Sequence, residues 1–321
     1  MHPILNLEKK LSKLKEPLLI SFHDIADADA IASGLALKEF LKSKKPDLKC
    51  ISLNSQARMI LEKNKIHIPV VEGIEKYNSI VLVDVSDPEM LGSFKDRIEK
   101  FAKSKTLVTI DHHETLKKIK NASNFNYHAT SCSEIINGLF KKTGRKPSKK
   151  TSLLLLLGII SDTHYFREAG VETFKNAGEL LANSEVSYSK AIGMLKECKG
   201  KEHSENILDK IKTAFLKNGV AIAKADTNRT EVASILSEIA PIGIAVGNGR
   251  ITIVQNSACS KLNVGTILKE CAARFNGNGW GHENIGGCEI KDVEAALAWI
   301  MEKLESERLQ SQGSSRATPS R

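Results

Sequence analysis

The chain has 321 residues, 41% of them hydrophobic, with 47 basic and 38 acidic side chains and a formal net charge of +9. That length suits one large or two ordinary domains with a substantial core, and the basic excess loosely favours polyanionic partners. Six cysteines (Cys50, Cys132, Cys198, Cys259, Cys271 and Cys288), none in a C-x-x-C pair, exclude zinc-finger spacing and a small disulfide scaffold.

The first fifteen residues form a charged amphipathic stretch without an apolar signal core, and the longest apolar run, Leu153 to Ile160, is far short of the ~20 residues that span a bilayer. Isolated cysteines fit a reducing interior. A soluble cytoplasmic protein without a membrane partner is expected.

In the first half, apolar strand-like runs alternate with helical patterns. Leu18 to Phe22 reads as a buried strand, after which Ala30, Gly34, Leu37 and Leu41 repeat at helical spacing. Lys49 to Leu53, Ser79 to Val83 and Thr106 to Ile110 read as further strands. This rhythm predicts an α/β fold, a parallel sheet flanked by helices on both faces. Ser131-Cys132-Ser133-Glu134 has the capping-box pattern and opens a helix that ends near Gly144. The basic link that follows, Lys141 to Lys150 around Pro147, reads as a solvated turn in preference to a phosphate-binding patch.

From Glu172 to Leu216 the pattern is helical, without strands. A second α/β unit begins at Gly219: a strand over Val220 to Ala225, a helix over Glu231 to Ile239, and a hairpin of Ile242 to Val246 with Arg250 to Val254 around Asn248-Gly249. A helix over Val264 to Phe275, a Gly-rich loop and a helix over Val293 to Leu304 complete it. The expected organisation is a first domain over 1–185, connecting helices over 186–216, a smaller α/β domain over 217–309, and a disordered tail over 310–321.

Three strands run directly into acids or histidines. Phe22 is followed by His23, Asp24, Asp27 and Asp29; Val83 by Asp84 and Asp87; Ile110 by Asp111, His112 and His113. In an open parallel sheet, ligands bind beyond the carboxyl ends of the strands, so these stretches converge on one edge. Asp24 and Asp87 read as ordinary caps or turn formers. The remaining carboxylates would repel one another in one crevice, and a divalent metal is the ordinary solution. Mixed imidazole and carboxylate donors point to Mn²⁺ first, with Co²⁺, Mg²⁺ or Zn²⁺ compatible.

At this point the residues resemble a known family. His23-Asp24-Ile25-Ala26-Asp27-Ala28-Asp29-Ala30, Asp84 after its strand, Asp111-His112-His113, and Gly158-Ile159-Ile160-Ser161-Asp162-Thr163 resemble, in order, four motifs of the DHH superfamily of phosphoesterases, in its RecJ-like and oligoribonuclease-like branches. Gly277 to Gly287, with His282, resembles the Gly-rich G-G-H loop of the DHH-associated C-terminal domain. His164 stands where the fourth motif usually has glycine, and Trp280 stands between the glycines of the loop, either to stack on a base or to pack.

The resemblance implies two divalent ions, Mn²⁺ foremost. His23 and Asp27 would hold one, Asp29, His112 and Asp162 the other, and Asp84 would bridge them. Asp111 would orient a ligand and His113 would face the phosphate. Gly279, Gly281, His282, Gly286 and Gly287 would bind substrate. The implied function is hydrolysis of phosphodiester bonds of single-stranded nucleic acid or short oligonucleotides by a two-metal activated water. The alternatives are a small-molecule nucleotide phosphatase or phosphodiesterase, acting on adenosine bisphosphate or a cyclic dinucleotide, and a non-catalytic nucleic-acid-binding replication factor. A homo-oligomer is compatible with the sequence.

Overall fold

The computed structural model describes residues 3–85, 87–113, 117–196, 201–256 and 262–314. It divides into two compact units, Met1–Glu197 and Cys198–Arg321. Cys198, Cys259 and the final segment 315–321 lie outside the described residues.

The first unit contains, in chain order, α1 (Pro3–Ser12), β1 (Leu18–Ser21), β2 (Ile25–Ala26), α2 (Ala28–Phe40), β3 (Asp47–Leu48), β4 (Ser52–Leu53), α3 (Ser55–Lys63), β5 (Ser79–Val83), α4 (Lys95–Ala102), β6 (Thr106–Asp111), β7 (Ser123–Asn126), α5 (Cys132–Lys142), α6 (Lys149–Asp162), α7 (Val171–Ser184) and α8 (Tyr188–Leu195). Its main sheet is parallel in the order β3-β1-β5-β6-β7. The strand side chains alternate between two cores, as a pleat requires. Ile20, Val81, Val83, Val108 and Ile110 pack with residues of α1, α2, α5 and α6. Leu19, Ile80, Leu82 and Leu107 pack on the other side with Ile98 and Phe101 of α4.

The expected strand over Lys49 to Leu53 is two. Leu48 ends β3 beside β1, and Ser52 begins β4 in a separate two-strand pair with β2. Between them Cys50 bridges Val70, so the chain exchanges partners midway through one apolar run.

Helix α6 is buried from Thr151 to Ile160, which explains its continuous apolar run. Its start is capped by Ser148, and Glu39 accepts hydrogen bonds from the Ser148 N–H (2.7 Å), the Ser148 hydroxyl (2.7 Å) and the Thr151 hydroxyl (2.5 Å). A carboxylate therefore already fills this helix start. Arg145 lies over the Phe40 ring at 4.1 Å, Lys141 pairs with Glu179, and Lys149 pairs with Glu185. Much of the basic link is thus engaged in local structure.

The second unit contains α9 (Lys201–Lys212), β8 (Phe215–Lys217), β9 (Val220–Lys224), α10 (Arg229–Ile239), β10 (Ile242–Gly247), β11 (Arg250–Gln255), α11 (Val264–Arg274), β12 (Asn278–Gly281), β13 (Ile285–Glu289) and α12 (Val293–Ser314). Its mixed sheet has the order β12-β13-β11-β10-β9-β8. Asn248 (φ 47°) and Gly249 (φ 71°) make the expected hairpin turn.

Three expectations change here. Phe215 and Leu216 belong to an edge strand, β8, rather than to a helical stretch; all three of its residues are exposed, so no alternation marks it. The Gly-rich loop is a hairpin, β12 with β13, hidden by the low strand propensity of glycine. Helix α12 continues to Ser314, five residues into the expected tail, because Gln is a good helix former and extends a helix already nucleated.

Gly158 on α6 marks a tight helix contact near the strand ends. A Cβ there would lie 2.2 Å from Ser133 Oγ and 2.7 Å from Asp29 Oδ1. Gly158→Ala should therefore destabilise the first unit by about 1–3 kcal/mol, read by denaturant unfolding. Unchanged stability would show that the helices separate freely.

Candidate metal centre

Four local structures deliver the polar side chains. The segment after β1 carries His23, Asp27 caps α2 by accepting from the Ala30 N–H (3.0 Å), and Asp29 sits in the first turn of that helix. Asp84 follows β5 with φ 63°, an unusual backbone state for a residue with a Cβ, and its N–H is fixed to the Ile110 carbonyl at 2.8 Å. β6 ends at Asp111 and is followed by His112 and His113; Asp162 is the last residue of α6.

These groups meet. His23 Nε2 lies 3.9 Å from Asp27 Oδ1 and 3.6 Å from Asp84 Oδ2. His112 Nε2 lies 3.5 Å from Asp84 Oδ1 and 3.1 Å from Asp162 Oδ2. Within the cluster, His23, Asp27 and Asp84 form one set of donors that could share a cation, and Asp29, His112 and Asp162 form another. These are the groupings the resemblance implies, and Asp84 reaches the histidines of both sets through different oxygens.

Asp111 does something else. Its Oδ1 lies 2.9 Å from His113 Nδ1, and its Oδ2 accepts from the His113 backbone N–H at 3.0 Å. Asn126 on β7 holds the His113 carbonyl at 2.7 Å. The residue that Asp111 orients is therefore His113, whose side chain is 36% exposed.

Sequence reasoning missed the start of α5. The Asp29 carboxylate is fully buried and accepts from the N–H groups of Cys132 (2.6 Å) and Ser133 (2.9 Å). A helix N-terminus suits an anion, and this one holds Asp29 in place. The capping pattern at Ser131 signalled the helix start but not its distant partner. Glu134 also departs from the reciprocal capping box, accepting from the Thr130 N–H. Cys132 Sγ lies near Asp29 and Asp84, but burial first, and then those carboxylates, keep its thiol well above the ordinary range; it contacts the Ile110 carbonyl.

The electrostatics show how tightly the charges are crowded. Burial raises Asp29 well above the usual carboxylate range, and the charges of Asp162 and Asp84 push it further. Burial likewise lifts Asp162 to about 6, against the hydrogen bond with His112. Burial alone lowers His112 and His23, but hydrogen bonds and charges of neighbouring carboxylates outweigh it and raise them to about 12 and about 10. Each shift reflects negative charge crowded into a buried space. Asp84 Oδ1 and His112 Nε2 are buried, and neither makes a well-aligned hydrogen bond among the described residues, although His112 Nε2 lies 3.1 Å from Asp162 Oδ2. Two such donor atoms in a crowd of carboxylates and imidazoles fit a divalent cation.

The other acids behave differently. Asp87 caps a 3₁₀ turn and pairs with Lys117 at 3.3 Å. Asp24 packs over Gly92, where a Cβ would lie 2.3 Å from its Oδ2. His164 is 3.7 Å from Glu168, whose hydrogen bond raises the imidazole.

In the second unit the glycines have packing work. A Cβ at Gly279 would lie 2.5 Å from the Leu268 carbonyl oxygen of α11, one at Gly281 2.5 Å from Gly286 Cα, and one at Gly286 2.6 Å from the Trp280 oxygen. Gly287 lies under the Trp280 ring, which stays 46% exposed. His282 is exposed, and its carbonyl accepts the Gly265 N–H at 2.8 Å.

Metal binding has a readout that needs no substrate. Mn²⁺ should raise the Tm of the wild-type protein by mass action and should do so far less for Asp84→Asn, which removes the charge that faces both His23 and His112. An equal Tm rise in the two proteins would overturn the assignment of Asp84.

Comparison with known proteins adds the family. Residues 17–159 match the model described as the DHH family, N-terminal domain. An uncharacterized protein of Methanocaldococcus jannaschii is 26% identical over 300 residues, covering 85% of this chain and 87% of that protein. A probable manganese-dependent inorganic pyrophosphatase of Streptococcus pyogenes is 25% identical over 287 residues, covering 81% and 89%. Among solved structures, an exopolyphosphatase-related protein from Bacteroides fragilis shares the fold with a TM-score of 0.73 at 18% identity, over 94% of both chains. The strand-end motifs, the cluster they form and the matched domain agree: residues 17–159 are a DHH-family N-terminal domain, and a second, C-terminal unit follows it.

Proposed function

We propose that the protein is a metal-dependent hydrolase of phosphodiester bonds in single-stranded nucleic acid or short oligonucleotides. The observation that carries the reaction type is the half-exposed His113, held by Asp111 beside the buried cluster of Asp84, His112 and Asp162. His23, Asp27, Asp29, Asp84, His112 and Asp162 would hold two divalent ions, Mn²⁺ foremost, with Mg²⁺ or Co²⁺ compatible. When bound, such ions supply a water that ionises near neutral pH and neutralise phosphoryl oxygens.

The chain's own residues account for the rest. Asp111 grips both the ring and the backbone of His113, which fixes Nδ1 toward the carboxylate and leaves Nε2 for the substrate. From there the imidazolium can donate a proton to the departing oxygen. The start of α5 fixes Asp29, and the bond from Asp84 N–H to Ile110 fixes Asp84, so neither carboxylate needs to move during turnover.

The +9 net charge supports a polyanionic substrate. In the second unit the packing of Gly279, Gly281, Gly286 and Gly287 leaves the substrate role resting mainly on the exposed His282 and Trp280. A second reading, hydrolysis of phosphoanhydrides, is favoured by the pyrophosphatase of Streptococcus pyogenes among the relatives.

A manganese-supplemented panel of short RNA, single-stranded DNA, adenosine bisphosphate, cyclic dinucleotides and pyrophosphate separates these readings. Oligonucleotides should be turned over, and chelator should abolish the activity. Turnover of pyrophosphate alone would overturn the phosphodiester reading. His113→Ala should lower kcat on oligonucleotides by about 10²- to 10⁴-fold, and markedly less on a p-nitrophenyl phosphodiester, whose leaving group needs no proton. Equal losses on both would remove His113 from the acid role. His282→Ala should raise KM for oligonucleotides while Mn²⁺ affinity, measured by calorimetry, stays near wild type.

A further inference from the structure

Two residues beyond Asp162 the backbone turns left-handed. His164, Tyr165 and Phe166 have φ of 49°, 61° and 68°, three consecutive non-glycine residues in a region that costs each of them roughly 1–2 kcal/mol. Such a turn persists only where its surroundings hold it. Here the Tyr165 N–H donates to the Ile160 carbonyl at 2.8 Å, and the Glu168 N–H to the Thr163 carbonyl at 3.2 Å. The Thr163 hydroxyl donates to the Ile159 carbonyl (2.7 Å) and accepts from the Phe166 N–H (3.1 Å).

The turn brings aromatic rings together at the surface. Phe166 stacks on Phe174 of α7, with centroids 5.3 Å apart and planes at 30°, and lies against Tyr188 of α8 at 5.9 Å. Lys196 Nζ is 5.7 Å from the Tyr165 ring centroid. Phe174, Tyr165 and Tyr188 are 55%, 41% and 37% exposed. Isolated exposed hydrophobics need no explanation, but this chain is only 5% aromatic and gathers four rings in one place.

The place is next to the cluster. Tyr165 is three residues from Asp162, so their Cα atoms are at most about 11 Å apart. The start of α7 is also tied to the segment that begins α5, through the Thr173 and Thr130 hydroxyls at 3.3 Å, and α5 is the helix that holds Asp29.

We propose that Tyr165, Phe174 and Tyr188, with Phe166 between them, form a stacking seat for a nucleobase of the substrate whose phosphate lies at the His/Asp cluster. This rests on the phosphoesterase reading of that cluster and narrows it to nucleoside-bearing esters. Ring faces carry partial negative charge and repel phosphate oxygens, so an aromatic surface offers a polyphosphate little. A base stacks on it whatever its sequence, and Lys196 adds a cation to the same surface.

The test compares a dinucleotide with its counterpart lacking the base, the phosphodiester being the same in both. Wild type should prefer the base-bearing ester by at least about fivefold in kcat/KM. In a Tyr165→Leu/Phe174→Leu protein, which keeps apolar bulk at exposed positions, that ratio should fall toward one. Tyr165→Phe, which keeps a ring, should retain it. Calorimetry in chelator gives a second readout: adenosine 5′-monophosphate should bind wild type more tightly than ribose 5-phosphate does, and the double variant should lose the difference. A ratio unchanged in a folded double variant, or no base preference in wild type, would overturn the seat while leaving the phosphoesterase reading intact. Failure of wild type to hydrolyse either ester with Mn²⁺ would overturn that reading instead, and the binding comparison would still judge the seat.

Discussion

The first unit is organised around charge crowding. Asp29, Asp84 and Asp111 are almost fully buried, with Asp27 and Asp162 close by. A buried carboxylate needs polar partners, and here each of the three has a named one. The first turn of α5 answers Asp29, the imidazoles of His23 and His112 answer Asp84, and His113 answers Asp111. The tight contact at Gly158 follows from the same constraint, because any side chain there would displace Ser133 and Asp29.

That arrangement separates duties among residues of one type. Asp84 faces His23 through one oxygen and His112 through the other. Asp111 is equally buried but turns its whole carboxylate to His113. The consecutive histidines diverge accordingly: His112 points into the cluster beside Asp84 and Asp162, and His113 stays at its rim. A position after a strand thus does not define a role; the partner of each carboxylate oxygen does.

The second unit applies a different constraint. Its glycines bring a hairpin against α11 and against itself at distances that a Cβ would forbid. The side chains of His282 and Trp280 stay exposed beside them. In the first unit the left-handed turn after Asp162 has a comparable effect, since it gathers aromatic rings beside polar chemistry.

Much of this was legible in the sequence. Apolar runs ending in Asp or His placed the chemistry at strand ends, because a parallel sheet sends those ends to one edge. The helix start at Ser131 could be read from local capping chemistry, whereas the caps at Asp27 and Ser148 came only with the structure. The segment from Lys49 to Leu53 could not, since the exchange of partners at Cys50 depends on Val70, twenty residues on in the chain and invisible to periodicity. The hairpin at Asn278 to Glu289 was hidden because glycine records close packing and loops in the same letter. Local pattern was enough to pick out the acids and histidines at the strand ends and the strands that carry them. Only the tertiary structure decided that Asp111 serves His113, that α5 holds Asp29, and that the rings after Asp162 share one surface, because each joins groups that meet only once the chain has folded.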